Sequence, residues 1–272
     1  MDTKSHPQSE NFRILMLHGY SQSARRFQAK TRPLVEKIMT TTPQELLKLY
    51  SGIECLFLDA PRCAQCPIGL AFDTLDSTNN RIWWYGADDT YEYKYLNEAL
   101  VEIARFLSAN PVHVIIGFSQ GAALAAMVVS LLECRSNLTK ADAIRAQNLP
   151  VDVFLRLPTQ YQLKTVVCFS GYRGTIQFYN SLYRWQLDTP ACHVIGLLDT
   201  IVDAEKTIRL ARCFRTHKVI CHYGCHYVPR DTHILDSIVQ FIWKSCGWQG
   251  ATKSGQFSGQ ASIVHIMSCV SR

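Results

Sequence analysis

The stretch "VIIGFSQGAALAAMV", residues 114–128, decides the fold that we predict for this chain. An apolar run enters "GFSQG", and small and apolar residues at helical spacing follow it. This pattern is typical of a buried strand that turns sharply into a buried helix. Gly117 and Gly121, two residues before and after Ser119, leave room for such a turn. The turn would hold the serine hydroxyl clear of the sheet, so Ser119 is a candidate nucleophile.

Apolar runs and amphipathic segments alternate along the rest of the chain. The apolar runs predict strands over 12–20, 53–61, 111–118, 162–172, 190–199 and 218–224. The amphipathic segments predict helices over 27–40, 91–110, 203–215 and 231–246, besides the one after Ser119. Strands that are apolar throughout have both faces covered. We therefore predict an α/β fold with a mainly parallel, doubly wound sheet flanked by helices.

We predict a single domain, because neither a repeat nor a second pattern of elements is found. The domain is expected to span 12–248, between a flexible N-terminus (1–11) and a Gly/Ser-rich C-terminal tail (249–272). The irregular segment 62–90 and the polar segment 135–161 are interpreted as loop or lid-like insertions.

Composition narrows the class of protein. Hydrophobic residues make up 47% of the 272 residues and charged residues 18%, so a large core can form. The net charge of +6 is modest, and no dense basic run suggests a nucleic-acid partner. No apolar run is long enough for a membrane span, and the polar N-terminus lacks a signal-peptide core, so we predict a cytoplasmic protein. The eleven cysteines are interpreted as reduced thiols, and the lone pair Cys63 and Cys66 does not predict a metal or cofactor.

A serine nucleophile needs a base and an acid that orients the base. In this type of fold both follow the serine along the chain. Asp199 stands just past a predicted strand, whereas Asp203 fits a helix N-cap better. His226 lies in a loop past the last predicted strand, whereas His222 lies within the strand pattern and is interpreted as a packed residue. The predicted triad is therefore Ser119, Asp199 and His226.

Two backbone N–H groups are candidates for an oxyanion hole. One belongs to Gln120, at the start of the helix that follows the serine. The other belongs to Tyr20, in the "LHGYSQS" stretch after the first strand. His18 in that stretch is expected to brace the loop rather than to act as a base.

Three adjacent aromatic residues, Trp83, Trp84 and Tyr85, are candidates for the substrate pocket. Consecutive residues of an extended segment point in opposite directions. We therefore expect one tryptophan to pack in the core and the other to line an apolar acyl site.

The chain resembles the FSH-type serine hydrolases, which include small fungal hydrolases, the ovarian-cancer-associated hydrolase of animals and esterases of the lovastatin-pathway type. The resemblance spans most of 12–245. It rests on "LHGYSQSARRF", "LDAP", "WWY", "GFSQGAALAA", "SGY", "GLLDTIVDAEKTIRLA" and "GCHYVP". It implies an α/β-hydrolase fold, the triad named above, and hydrolysis of acyl esters or thioesters. Two positions depart from the family pattern, since Cys225 replaces a glycine and Asp203 a proline.

Three functions remain open. The first is a carboxylic ester hydrolase acting on a small-molecule or acyl-chain ester. The second is a thioesterase that releases an acyl or polyketide chain from an acyl-carrier domain in secondary metabolism. The third, from a different class, is a non-catalytic hydrolase fold that binds a ligand. The presence of all three triad candidates favours the enzymes over the third.

Overall fold

The structure is a computed structural model that describes residues 10–64, 80–86, 91–158, 163–174 and 177–248. Its strands are β1 (Phe12–Leu17), β2 (Ile53–Leu58), β3 (Arg62–Cys63), β4 (Arg81–Ile82), β5 (Val114–Phe118), β6 (Thr165–Phe169), β7 (Ala191–Gly196) and β8 (His217–His222). Its α-helices are α1 (Ala24–Thr40), α2 (Gln44–Leu49), α3 (Leu96–Ala109), α4 (Gln120–Glu133), α5 (Leu138–Arg145), α6 (Val151–Leu155), α7 (Ala204–Ala211) and α8 (Thr232–Ser245). The six predicted strands and the predicted helices are confirmed, most of them with shorter bounds, whereas α1 begins three residues earlier than predicted.

Six strands form one sheet in the order β2-β1-β5-β6-β7-β8, and every neighbouring pair is parallel. The carboxyl ends of all six strands therefore lie along one edge of the sheet. The short strands β3 and β4 pair antiparallel in a separate ribbon.

Helices cover both faces of the sheet, which confirms the doubly wound fold. Leu15 and Leu17 of β1 belong to the cluster formed with α3 and α4, and the alternate residues Ile14 and Met16 belong to the cluster formed with α1 and α8. This alternation follows from the two-residue repeat of a strand. It explains why inner strands such as β5 (VIIGF) and β6 (TVVCF) are apolar along almost their whole length.

The helix predicted over 91–110 begins later, at Leu96. Lys94 exchanges two backbone hydrogen bonds with Tyr85, of 2.9 and 2.8 Å, and so belongs to a bridge between extended segments. Tyr95 then adopts a left-handed conformation with φ of 73° before the helix starts. The aromatic spacing of residues 91–95 imitates a helix, but their backbone groups pair elsewhere.

The segment 135–161, expected to be a loop or lid-like insertion, is different in its described part. It contains α5 and α6, and Ile144, Val151 and Phe154 are fully buried in the core. These apolar residues are too few to dominate a polar sequence pattern, yet they attach the segment to the sheet layer. In its described part, residues 135–158, the segment is helical and packs in the core, so the expectation of a loop is corrected there.

Other expectations fall on residues that the structure does not describe. The proposed flexible N-terminus lies largely outside the described residues, and the tail 249–272 lies wholly outside them. The same is true of 65–79 and 87–90 within the aromatic segment. No described helix is both long and apolar enough to cross a bilayer. Nor do the described histidine, cysteine and acidic side chains form a group of metal-ligand type.

Candidate active site

Ser119 lies at the turn between β5 and α4, where its backbone has φ of 53° and ψ of −117°. This conformation is strained for a residue with a side chain. A Cβ at Gly117 would lie 2.6 Å from the Cα of Ala122, and one at Gly121 would collide with the Leu17 carbonyl oxygen. Both glycines are therefore required by contact of backbone with backbone, which explains why the serine stands between them.

The structure brings the three predicted triad side chains together in one chain of hydrogen bonds. The His226 Nδ1 atom lies 2.7 Å from Asp199 Oδ2, and His226 Nε2 lies 2.9 Å from Ser119 Oγ. An ionised carboxylate only accepts hydrogen bonds, so Nδ1 carries the proton. The lone pair of Nε2 is then free to accept the serine hydroxyl proton.

The Asp199 carboxylate is held by its own loop. Its Oδ1 accepts hydrogen bonds of 2.9 Å from the backbone N–H groups of Ile201 and Val202, and Oδ2 is left for His226. Burial of this carboxyl raises its pKa, but the hydrogen bonds that it accepts outweigh burial and hold the pKa below its usual value. Asp199 is therefore a fixed negative charge beside the imidazole.

The alternative acid and base make other contacts in the structure. Asp203 caps α7, since its carboxylate accepts a 2.8 Å hydrogen bond from the Lys206 N–H. His222 is the buried last residue of β8, and its ring packs 5.2 Å from that of Tyr227. Both placements agree with the sequence interpretation.

The two proposed oxyanion donors lie on segments that touch each other. A Cβ at Gly19 would approach the Phe118 ring to 2.8 Å, so the loop that carries Tyr20 packs against the strand end before Ser119. Within the part of the chain that the structure describes, neither the Tyr20 nor the Gln120 N–H donates to a backbone acceptor. Both N–H groups therefore stay candidates for the oxyanion hole.

His18 braces this loop, as expected. Its Nε2 accepts a 3.0 Å hydrogen bond from the Ala60 N–H, so its Nδ1 carries the proton and donates to the Gly19 carbonyl oxygen at 2.7 Å. Burial lowers the pKa of this imidazole, which agrees with a neutral ring. The side chain is a structural link between the ends of β1 and β2.

Trp83 and Trp84 do not divide as we expected. Their exposed fractions are 0% and 1%, and both belong to the core cluster over α3 and α4. Neither tryptophan offers free surface to a substrate, so the expectation of one core and one pocket tryptophan is corrected. Tyr85 is the exposed aromatic of the three, at 44%, and its ring lies 6.4 Å from that of Tyr20.

Sequence reasoning missed what holds the tryptophans in place. The Gln120 side chain accepts from the Trp83 N–H at 3.0 Å and donates to the Trp84 carbonyl oxygen at 2.9 Å. The Trp83 indole N–H in turn donates to the His18 carbonyl oxygen at 2.8 Å. Trp83 therefore links the two segments that carry the Tyr20 and Gln120 N–H groups. The available signal was a glutamine, which can both accept and donate, in a buried position beside the serine.

The fold and this site define an α/β-hydrolase with a serine, histidine and aspartate in line. The model of the family described as serine hydrolase (FSH1) matches residues 8–238. The chain belongs to this family, and it is an enzyme of the esterase or thioesterase type.

Curated relatives agree with that assignment. An esterase of Anopheles gambiae is 26% identical over 242 residues, which cover 86% of this chain and 77% of the relative. The protein named family of serine hydrolases 3, from Saccharomyces cerevisiae, is 26% identical. The alignment covers 91% of the present chain and 88% of the relative. Esterase OVCA2 of Xenopus tropicalis is 24% identical. This alignment covers 84% of the present chain and 90% of the relative.

Solved structures support the fold. SOBER1 of Arabidopsis thaliana aligns with a TM-score of 0.54 at 20% identity, and covers 87% of this chain and 99% of its own. Acyl-protein thioesterase 2 of Zea mays aligns with a TM-score of 0.54 at 17% identity. The alignment covers 88% of the present chain and 96% of the thioesterase.

Proposed function

We propose that this protein hydrolyses carboxylic esters of acyl chains through an acyl-enzyme formed on Ser119. The observation that carries the proposal is the chain of hydrogen bonds from Ser119 Oγ through the His226 ring to Asp199, at 2.9 and 2.7 Å. These lengths are within the range in which a base removes a proton from a nucleophile.

In the first half of the reaction, Ser119 Oγ attacks the acyl carbon and His226 Nε2 takes the hydroxyl proton. The negative charge that forms on the acyl oxygen is stabilised by the N–H groups of Tyr20 and Gln120 and by the N-terminal end of α4. As the bond to the leaving group breaks, His226 returns the proton to the departing alkoxide. Asp199 stabilises the charged imidazole between these two events.

In the second half, water replaces the alcohol. His226 takes a proton from the water, whose oxygen attacks the acyl carbon of the ester on Ser119. The same N–H groups stabilise the second oxyanion, and the proton then returns to Ser119 Oγ as the acid is released. The chain's own groups thus balance every proton transfer.

The surroundings of the triad support an apolar acyl substrate. Large apolar side chains remain exposed in the loops that follow β1, β4, β7 and β8. We call this set the apolar rim: Tyr20, Tyr85, Leu197, Leu198, Ile201, Tyr223 and Tyr227. Exposed apolar groups gathered around one site favour ligand binding over chance exposure. The rim replaces the tryptophans as our candidate acyl-contacting surface.

A thioester is the second candidate substrate, because the same groups serve when the leaving group is a thiolate. Structural likeness to an acyl-protein thioesterase shows a shared fold and leaves the substrate open. A carrier-domain partner, a place in secondary metabolism and a cytoplasmic location stay predictions. The ratio of kcat/KM for matched oxyesters and thioesters of one acyl chain decides between the two substrate classes.

The nucleophile is tested with a fluorophosphonate probe and p-nitrophenyl esters. We expect the wild type to be labelled, and Ser119→Ala to lose labelling and at least about 10⁴-fold in kcat. Ser136→Ala is the matched control, because Ser136 is an exposed serine that ends the 3-10 turn after α4. Labelling that survives in Ser119→Ala contradicts the proposal.

The apolar rim is tested by acyl length. Leu198→Ser should lower kcat/KM for long acyl chains by about tenfold and leave acetyl esters almost unchanged, because each buried methylene contributes about 0.8 kcal/mol. Leu138→Ser is the control, since Leu138 is 70% exposed on α5 and Leu198 is 59% exposed. Equal losses at every acyl length would exclude Leu198 from the acyl site.

A further inference from the structure

A surface cavity of about 260 Å³ is lined by Arg209 of α7 and by Arg212 and Cys213 just after it. Its remaining lining residues are Arg173, Tyr183, Arg184 and Gln186. None of its lining residues belongs to the triad, the oxyanion segments or the apolar rim. Four guanidinium groups line it, from Arg173, Arg184, Arg209 and Arg212. Four like charges around one cavity repel each other, and a bound anion relieves that repulsion. We propose that this cavity binds the phosphate group of a phosphate-bearing ligand.

The carboxylates nearby do not neutralise this cavity. Glu205 Oε1 lies 3.1 Å from Arg209 Nε and 4.0 Å from Arg212 Nη1. Arg209 and Arg212 therefore share one carboxylate. Among the described residues, no carboxylate forms an ion pair with Arg173 or Arg184. By contrast, Arg215, which does not line the cavity, has its own partner, Asp188, at 2.7 Å. The lining therefore keeps a net positive charge.

Two of the guanidinium groups are held in place by aromatic rings. The Arg173 guanidinium lies 5.2 Å from the centroid of the buried Tyr183 ring, and one of its nitrogens donates to Asn180 at 3.0 Å. The Arg184 guanidinium lies 5.1 Å from the Trp185 ring. Stacking on a ring fixes the plane of a guanidinium and leaves its edge free to donate. A guanidinium edge matches phosphate oxygens, which accept two parallel hydrogen bonds from it.

The size of the cavity limits what it holds. Pockets for drug-sized ligands usually have volumes of about 300–1,000 Å³. The cavity here, at about 260 Å³, fits a charged group better than a whole cofactor. Two sources supply such a group, a soluble phosphate compound and a phospholipid headgroup, and both present the same oxygens to the arginines.

The test measures binding to the full-length protein by titration calorimetry, with two probes. One is inorganic pyrophosphate, and the other is phosphatidylcholine vesicles with and without phosphatidic acid. We expect Arg173→Gln/Arg212→Gln to weaken binding of the active probe by about 100-fold, because each charged hydrogen bond lost costs about tenfold or more. Arg215→Gln removes the same charge outside the cavity and should change the affinity by less than about twofold.

Each outcome decides the proposal. Binding of pyrophosphate that depends on the two arginines supports a soluble phosphate ligand, and the same dependence with phosphatidic acid alone supports a lipid headgroup. Absence of binding for both probes, or equal binding by the double variant and the wild type, overturns the proposal. Hydrolysis of p-nitrophenyl acetate by both variants should match the wild type, so this test is independent of the proposed catalytic mechanism.

Discussion

The turn that carries Ser119 and the loops that carry Asp199 and His226 position their side chains by different physical means. At Ser119 the backbone itself is constrained, with φ of 53° and no space for a Cβ at Gly117 or Gly121. The other two residues have no such backbone strain. Their side chains are placed by hydrogen bonds between neighbouring loops.

Those bonds join the ends of β7 and β8. The Leu197 N–H donates to the His222 carbonyl oxygen at 2.9 Å, and the Leu198 N–H donates to that of Gly224 at 3.0 Å. Gly196 permits this approach, since a Cβ there would lie 2.6 Å from the Gly224 carbonyl oxygen. A steric constraint that excludes a Cβ leaves glycines in the sequence, as at Gly117 and Gly121, whereas hydrogen bonds between the backbones of two loops require no particular side chains. Changes in the loops therefore test the less predictable half of the site.

The largest expected effect is that of His226→Ala. Removing the base should lower kcat by about 10⁵–10⁶-fold and abolish fluorophosphonate labelling of Ser119, because the hydroxyl then keeps its proton. The measurements are ester hydrolysis and probe labelling on protein whose folding is checked by circular dichroism.

His222→Ala is the matched control, because the two histidines are four residues apart. His222 ends β8 and is 6% exposed, so its loss should cost about 1–3 kcal/mol of stability and leave labelling intact. Loss of labelling in His222→Ala, with labelling kept in His226→Ala, would reverse the assignment of the base.

The acid gives the next effect. Asp199→Asn should fold and lose about 10⁴-fold in kcat, because an amide stabilises the wrong imidazole tautomer. Asp203→Asn, four residues on, keeps an N-cap and should cost at most about 1 kcal/mol of unfolding free energy. Kinetics and urea unfolding of the two variants decide the assignment, and an inactive Asp203→Asn would assign the acid to Asp203.

The sheet and its helices were predictable because the inner strands are covered on both faces, which leaves an unbroken apolar run such as "VIIGF". The turn at Ser119 was predictable because only glycine fits at positions 117 and 121, and both glycines are visible in the sequence. The start of α3 was not, since the backbone pairing of Lys94 with Tyr85 depends on residues that are not neighbours along the chain. Hydrophobic spacing alone carries no record of such pairing.

The aromatic segment shows a second limit. Alternation predicts opposite directions for Trp83 and Trp84, but both directions lead into the core here. The Gln120 side chain holds both backbone groups, and a polar contact between residues 36 or 37 positions apart has no local signature. Burial of a whole segment follows from the tertiary structure.

Trp83→Phe tests whether Trp83, which links the segments of Tyr20 and Gln120, keeps their two backbone N–H groups in position for catalysis. The change removes the indole N–H that donates to the His18 carbonyl oxygen at 2.8 Å, and so frees the loop that carries Tyr20. We expect kcat to fall by about tenfold with KM almost unchanged. Complete loss of one oxyanion donor costs about 10²–10³-fold, and a displaced donor should cost less.

Trp243→Phe provides the comparison for that variant. Trp243 is equally buried, on α8, and its indole N–H lies 3.4 Å from the Thr41 hydroxyl, in the other core cluster. It should lose stability of about 1–3 kcal/mol and keep kcat. Equal kcat values in the two variants would reduce Trp83 to a packing role.

The last prediction concerns His193 in β7, the strand that leads to Asp199. Its ring is fully buried against Phe214, and burial, together with the nearby His217, lowers its pKa from 6.5 to about 3. Neither ring nitrogen has a hydrogen-bond partner within the described structure. The folded state therefore keeps this ring neutral while the unfolded chain binds a proton below pH 6.5.

Above pH 6.5 the neutral His193 costs the folded state no proton. As the pH falls from 6.5 toward about 3, the unfolded chain binds a proton at His193 and the free energy of unfolding decreases. The loss is at most about 1.4 kcal/mol per pH unit. His193→Leu should be at least as stable at pH 7, because it removes an unpaired buried imidazole, and should show a flatter decline at acid pH. Urea unfolding at pH 7, 5.5 and 4.5 measures the slope. Equal slopes of unfolding free energy against pH in the variant and the wild type would contradict this prediction. They would mean that His193 binds its proton in the folded protein, and that β7 accepts a charged imidazole.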